Sequence, residues 1–240
     1  MPGRTESGDN DGLSLVVLFD IDGTLVRKAG PHHGQALVEA VRLVTGRHVS
    51  IEGIAVFGML DGDIVAEMMA AAGFSSRQVR ERMPAIHAVA ERLYRERCPD
   101  LTARVIPGVR PLLRRLARRG VACGLVTGNL SRIGWHKVQR ARLRQHFRFG
   151  AFADMGATRT ELARLALAHA RRRGWLPRGT RPVLIGDTAN DIEAARANGI
   201  LSVAVATGHY GLEELRPHGP DILLSNLAEL ELDRLCGEQA

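Results

Sequence analysis

Short apolar runs punctuate the chain at 15–19, 121–126, 182–185, 201–205 and 222–224. Each is too short for a core helix and is bounded by turn-forming residues, which predicts buried strands. Between them, at 109–118, 132–142, 160–172 and 191–198, apolar residues recur at helical spacing. Gly120, Gly174 and Gly199 follow three of these stretches, where helices commonly end on glycine. Strands alternating with helices predict the α/β class: a Rossmann-like parallel sheet with helices on both faces.

One stretch breaks the rhythm. Between the first strand and the second, the pattern is helical at 35–45, 62–72 and 76–97. A crossover between parallel strands needs far fewer residues. The pattern therefore predicts an inserted α-helical domain over residues 28–103, with Pro107-Gly108 marking the return to the core. Residues 14–27 and 104–240 would form the core. The polar, small residues at 1–13 read as a disordered lead-in.

Composition narrows the class. The chain has 240 residues, 45% of them hydrophobic but only 4% aromatic, so aliphatic packing must dominate the core. No apolar run reaches the roughly 20 residues of a membrane span, and none near the N-terminus resembles a signal peptide. Cys98, Cys123 and Cys236 are too far apart for a metal cluster or a disulfide framework. They read as buried free thiols of a cytoplasmic protein. The net charge of +7 raises the question of a nucleic-acid partner. Lys28 and Lys137 are the two lysines, so 31 of the 33 basic residues are arginine, which points to a compositional bias. The densest clusters, at 114–119 and 171–173, fall late in predicted helices, where cations complement the dipole. No aromatic residues interleave with them as a stacking platform requires. Neither a nucleic-acid nor a membrane partner is expected.

Three predicted strands end in polar chemistry. The first runs into Asp20-Ile21-Asp22-Gly23-Thr24, the second into Thr127-Gly128-Asn129, and a later one into Gly186-Asp187-Thr188-Ala189-Asn190-Asp191. A lone buried carboxylate is costly, and open parallel sheets bind ligands at their carboxyl strand ends. Folding would gather these carboxylates and hydroxyls in one crevice. The all-oxygen set suits Mg²⁺; the His-Cys clustering that favours zinc is absent. In such a site one Asp can attack phosphorus and a second can move protons. A Thr hydroxyl and turn N–H groups can hold phosphoryl oxygens.

Those three segments together resemble the signature motifs of the haloacid dehalogenase-like hydrolase superfamily: "DIDGT", "VTGN" and "GDTANDIEAARANG" agree in order and strand placement. The helical insert resembles the cap of the phosphoglycolate-phosphatase-like branch. The resemblance implies that Asp20 is the nucleophile and a Mg²⁺ ligand. Asp22 would be the general acid/base, with its backbone carbonyl on the metal. Asp187 would be a further metal ligand, and Asp191 would position a water held by the metal. Thr127, Gly128 and Asn129 would bind the phosphoryl group. The family also places a cation at the start of a helix before the last motif. Arg159 fits that position better than Arg164.

Other residues carry weaker signals. His32-His33, at the entry to the insert, reads as a polar turn or as a substrate contact, and His209-Tyr210 as a loop beyond a core strand. Asp61, in a Gly-rich turn before an insert helix, is either a specificity residue or a plain helix cap. The function implied is a Mg²⁺-dependent phosphatase for a small phosphorylated metabolite. A phosphomutase and a catalytically silent phosphate-binding protein stay open, as does the oligomeric state. Asp22 argues against a dehalogenase, which needs no leaving-group acid there. Lys28 alone near the hinge argues against a phosphonatase with a Schiff-base lysine.

Overall fold

The computed structural model describes residues 15–27, 31–176 and 179–236. The lead-in at 1–13, the side chain of Cys236 and Lys28 lie outside them. Among the described residues six parallel strands form one sheet: β1 (Val16–Phe19), β2 (Ala122–Val126), β3 (Phe149–Ala151), β4 (Val183–Gly186), β5 (Leu201–Val205) and β6 (Ile222–Leu224), in the order β3-β2-β1-β4-β5-β6. The strand order reverses direction beside β1, which pairs with both β2 and β4. A crevice at the carboxyl ends of the strands opens at such a switch point. All four residues of β1 are buried, so its run is apolar on both faces.

The faces divide cleanly. Val17 and Phe19 pack with Leu112, Leu113 and Ile133, from α4 (Val109–Arg118) and α5 (Ser131–Arg140). Val16 and Leu18 pack with Leu162, Ala166 and Ala194, from α6 (Arg159–Arg172) and α7 (Ala189–Ala197). The sequence pattern predicts five of the six strands and misses β3. Its three residues, Phe-Gly-Ala, lie at the sheet edge, too short to show a period. Its Gly150 has no room for a side chain, because a Cβ there would come within 2.6 Å of the Phe152 ring.

Between β1 and β2 lie α1 (His32–Thr45), α2 (Asp61–Ala71) and α3 (Ser76–Arg97). A capping box between Ser75 and Gln78 starts α3. The two passages between these helices and the sheet run side by side. Arg27 donates its N–H to the carbonyl of Arg104 at 2.8 Å, and Ile106 to that of Leu25 at 3.0 Å. The helices share the core cluster of α4 and α5 through Ile86, Leu93 and Tyr94. They therefore sit over the carboxyl end of β1. Cys98 and Cys123 are buried free thiols. Among the described residues, no helix is long and apolar enough to cross a membrane.

Candidate active site

Asp20 follows the last residue of β1 and is 3% exposed. Arg159, the first residue of α6, donates from Nη1 to Asp20 Oδ1 at 2.7 Å and to the Val126 carbonyl at 3.1 Å. Thr158 caps that helix by accepting from the N–H of Glu161 at 3.1 Å, which fixes where Arg159 leaves the backbone. Arg164, one turn on, is exposed and pairs with Glu161.

Asp187 follows β4 and accepts from Thr24 Oγ1 at 3.0 Å. Glycines make room for it. Gly23, at φ +87°, and Gly208 would each place a Cβ against its carboxylate, at 2.2 and 1.6 Å. Asp191 lies in the first turn of α7, and its Oδ2 accepts from the N–H and Oγ1 of Thr188 at 3.2 and 2.7 Å. Carboxylate oxygens of Asp20, Asp187 and Asp191 lie within 4.8 Å of one another. Asp191 Oδ1 and Arg159 Nε are buried without hydrogen-bond partners, 3.6 Å apart.

Three carboxylates so close repel. Burial pushes Asp20 up to about 6, with Arg159 opposing and Asp191 and Asp22 adding to the rise. Burial, with the charges of Asp20 and Asp191, holds Asp187 well above the ordinary carboxylate range. An all-oxygen cluster with an orphaned carboxylate oxygen fits a hard divalent cation such as Mg²⁺. Asp20, Asp187 and Asp191 are side chains that could hold it.

The Asp22 side chain turns away from this cluster. Its Oδ2 accepts from Lys137 Nζ at 2.5 Å and from Asn129 Nδ2 at 2.8 Å. Desolvation would raise its pKa, but Lys137, His33 and these hydrogen bonds outweigh it and hold the carboxyl below its usual range. Thr127 is fully buried, and its Oγ1 accepts from Asn129 Nδ2 at 2.6 Å. Gly128 accepts from the N–H of Asp61 at 2.8 Å, and a Cβ on it would meet the Met59 carbonyl at 2.2 Å. That glycine lets the loop before α2 approach the strand end.

Lys137 is the residue the sequence reading passes over. It sits in α5 with 1% of its side chain exposed and gives nothing away by spacing, because a buried ammonium on an arginine-rich helix looks like one more surface cation. His33 needs correcting from a polar turn. Its Nδ1 lies 3.1 Å from Lys137 Nζ, and its Nε2 lies 3.0 Å from Asp61 Oδ2. A ring protonated on Nε2 accepts from the lysine and donates to the carboxylate. Asp61, 2% exposed, also accepts from the N–H of Leu130 at 2.8 Å. It follows Leu60, the residue that caps α2, and its side chain ties that helix to the start of α5. His209 lies in the loop beyond β5 and stacks on Phe57 with ring centroids 3.7 Å apart. Asn190 Nδ2 donates to the Gly58 carbonyl at 2.7 Å on the same side. These contacts bound a cleft of about 1120 Å³, lined by the strand-end residues on one side and by His33, Phe57 and Asp61 on the other.

A parallel sheet with strand-end carboxylates, a buried arginine and helices beside the cleft defines an α/β protein with its site at the strand switch point. Residues 15–199 match the family described as haloacid dehalogenase-like hydrolase, and the chain belongs to it. It is 24% identical over 220 residues to a phosphoglycolate phosphatase of Pseudomonas fluorescens, covering 91% of this chain and 79% of that one. To a phosphoglycolate phosphatase of Agrobacterium fabrum it is 25% identical, with 91% of each chain covered. Its fold superposes on a β-phosphoglucomutase from Clostridium difficile with a TM-score of 0.67 at 16% identity, covering 91% of this chain and 94% of that one.

Proposed function

We propose that the chain is a Mg²⁺-dependent phosphatase that hydrolyses a small phosphorylated metabolite through a phosphorylated Asp20. The observation that carries this reading is the Asp20–Asp187–Asp191 cluster, backed by buried Arg159, at the floor of a cleft that also holds Asp22 and Thr127. When bound, Mg²⁺ supplies charge compensation between these carboxylates and the incoming phosphoryl group.

Asp20 attacks phosphorus, and the ester P–O bond breaks with its electron pair passing to the leaving oxygen. Asp22 donates a proton to that oxygen. The resulting carboxylate takes a proton from a water whose oxygen attacks the phosphorus of the aspartyl-phosphate. Phosphate leaves and Asp20 is restored. As paired with Lys137, Asp22 is in the ionised form that serves the second half of the cycle. A phosphoryl group beside it adds negative charge, which favours the protonated form the first half needs. Arg159 holds Asp20 in place, and Thr127 with the turn at Gly128 accommodates phosphoryl oxygens.

The cleft volume suits a metabolite. Phosphoglycolate is the first compound to assay, given the names of the relatives. The test is a panel of phosphate esters assayed for inorganic phosphate release with Mg²⁺ and with chelator, beside Asp20→Asn. Mg²⁺-dependent release that Asp20→Asn abolishes supports the reading. Release that survives the substitution overturns the nucleophile. Transfer to a second sugar hydroxyl without release to water replaces hydrolysis by a mutase reaction.

A further inference from the structure

We propose that Lys137 is a positioning residue for Asp22, gripping its carboxylate from α5 and linking that grip, through His33, to the helices over the cleft. The inference rests on the proposed role of Asp22. A lysine with 1% of its side chain exposed is costly to keep charged, so its partners matter. Lys137 Nζ has three within hydrogen-bond reach: Asp22 Oδ2 and Asn129 Oδ1, each at 2.5 Å, and His33 Nδ1 at 3.1 Å. Its ammonium also lies 5.8 Å from the centre of the Tyr94 ring of α3. With the His33 ring protonated on Nε2, each of the three ammonium protons has an acceptor, and the nitrogen is fixed from three directions.

Asp22 needs such a grip more than its neighbours do. Asp20 and Asp187 are 3% exposed and walled in, whereas 36% of the Asp22 side chain is open to the cleft. An open carboxylate on a short side chain samples other rotamers unless hydrogen bonds hold it. Asn129 contributes one such bond and is itself held by Lys137 and Thr127. The lysine is thus the common anchor of the Asp22 carboxylate. His33 lies in the first turn of α1 and is joined to Asp61 of α2, so the anchor is complete only with those helices seated. Arg159 plays no part in this grip. Its guanidinium is bonded to Asp20 and Val126 on the other side of the site.

The test is a double-mutant cycle on kcat and KM with Lys137→Met and Asp22→Asn, using the best substrate of the ester panel. Acting through Asp22, Lys137→Met lowers kcat roughly 10- to 100-fold, the scale of a misplaced reacting group. KM changes little. In the Asp22→Asn background the same substitution costs almost nothing further, because there is no longer a proton-moving carboxylate to aim. Lys137→Gln, which keeps a donor without the charge, runs the same cycle should Lys137→Met fail to fold, and is expected to retain more activity. Losses that multiply across the cycle, or a Lys137 variant with wild-type kcat, overturn the inference while leaving Asp22 in its role. An Asp22→Asn enzyme with wild-type kcat instead overturns the role of Asp22, and the inference falls with it.

Discussion

Arg159 Nη1 donates to Asp20 Oδ1 across 2.7 Å, with only 6% and 5% of the two side chains exposed. The same guanidinium places Nε 3.6 Å from Asp191 and lowers the cost of charging Asp20. Removing it leaves buried carboxylates facing one another without a cation. Arg159→Ala is therefore expected to lower kcat/KM at least ~100-fold and to destabilise the fold by about 3–5 kcal/mol, the usual cost of stranding a buried charge. Arg159→Lys keeps the charge but loses the planar fork, and should be partly active. Arg164 is 64% exposed and pairs with Glu161 at 3.3 Å. Such surface pairs contribute ~1 kcal/mol or less, so Arg164→Ala should leave kinetics and melting temperature nearly unchanged. Steady-state kinetics showing the reverse order would move the cationic role one helical turn.

Asp20→Asn should abolish turnover, and it should also change how stability depends on pH. In the metal-free fold the Asp20 carboxyl is raised from 3.8 to about 6, chiefly by burial. A raised carboxyl binds its proton more tightly folded than unfolded. Its contribution is complete below the unfolded value and is lost as pH rises through about 6. The asparagine variant lacks this penalty. Its melting temperature relative to wild type, measured in chelator, should grow between about pH 4 and pH 7. Taking the difference cancels the histidines, which both proteins share. Added Mg²⁺ should close the gap at pH 7 by stabilising wild type alone. A gap that does not change with pH would mean that Asp20 is not strained by burial.

Asp187→Asn removes one charge from the oxygen cluster and keeps its shape, since Thr24 Oγ1 can still donate to the amide oxygen. The expected effect is a higher Mg²⁺ concentration for half-maximal activity, with kcat at saturating metal reduced less. An unchanged metal titration, followed by activity or by Mg²⁺-induced thermal shift, would exclude Asp187 as a ligand.

How much of this was legible in the sequence follows from what each residue has to do. Strands β1, β2 and β4 are buried on both faces, so their apolar runs are continuous and the polar residues that end them stand out. That is why Asp20, Thr127 and Asp187 could be singled out. Arg159 was singled out through the resemblance, which asks for a cation at a helix start, and it does open α6, where Thr158 is the cap. Strand β3 could not be seen, because three edge residues with a central glycine carry no period. Lys137 was invisible for a different reason. Its partners Asp22, Asn129 and His33 come from three separate segments, and α5 shows a charged residue at a position that only the tertiary fold turns inward. His33 and Asp61 share that difficulty, since each takes its meaning from the other.

Gly208 offers the most discriminating test of the cluster, because it takes part in it only by being absent. It lies in the exposed loop after β5, beside Thr207, whose Oγ1 donates to the Gly23 carbonyl at 2.6 Å. A Cβ on Gly208 would come 1.6 Å from Asp187 Oδ2, and one on Gly23 would come 2.2 Å from the same atom. Two glycines thus leave the space this carboxylate occupies beside Asp20 and Asp191. In Gly208→Ala, either the loop moves outward or the Asp187 carboxylate rotates off Thr24. The second displaces a ligand without deleting one, and the first withdraws the backbone packed against it. Substitutions that disturb the support of a metal ligand typically cost 10- to 100-fold in metal affinity. Gly208→Ala should therefore raise the half-saturating Mg²⁺ concentration ~10-fold or more. Its backbone is not in the left-handed region, and the loop is open to solvent, so the melting temperature in chelator should change little. Gly23→Ala should do worse on both counts, since its φ of +87° strains any side chain as well. If Gly208→Ala binds Mg²⁺ as wild type does, the loop has yielded instead of the carboxylate, and close packing of Gly208 is not what holds Asp187 in the cluster.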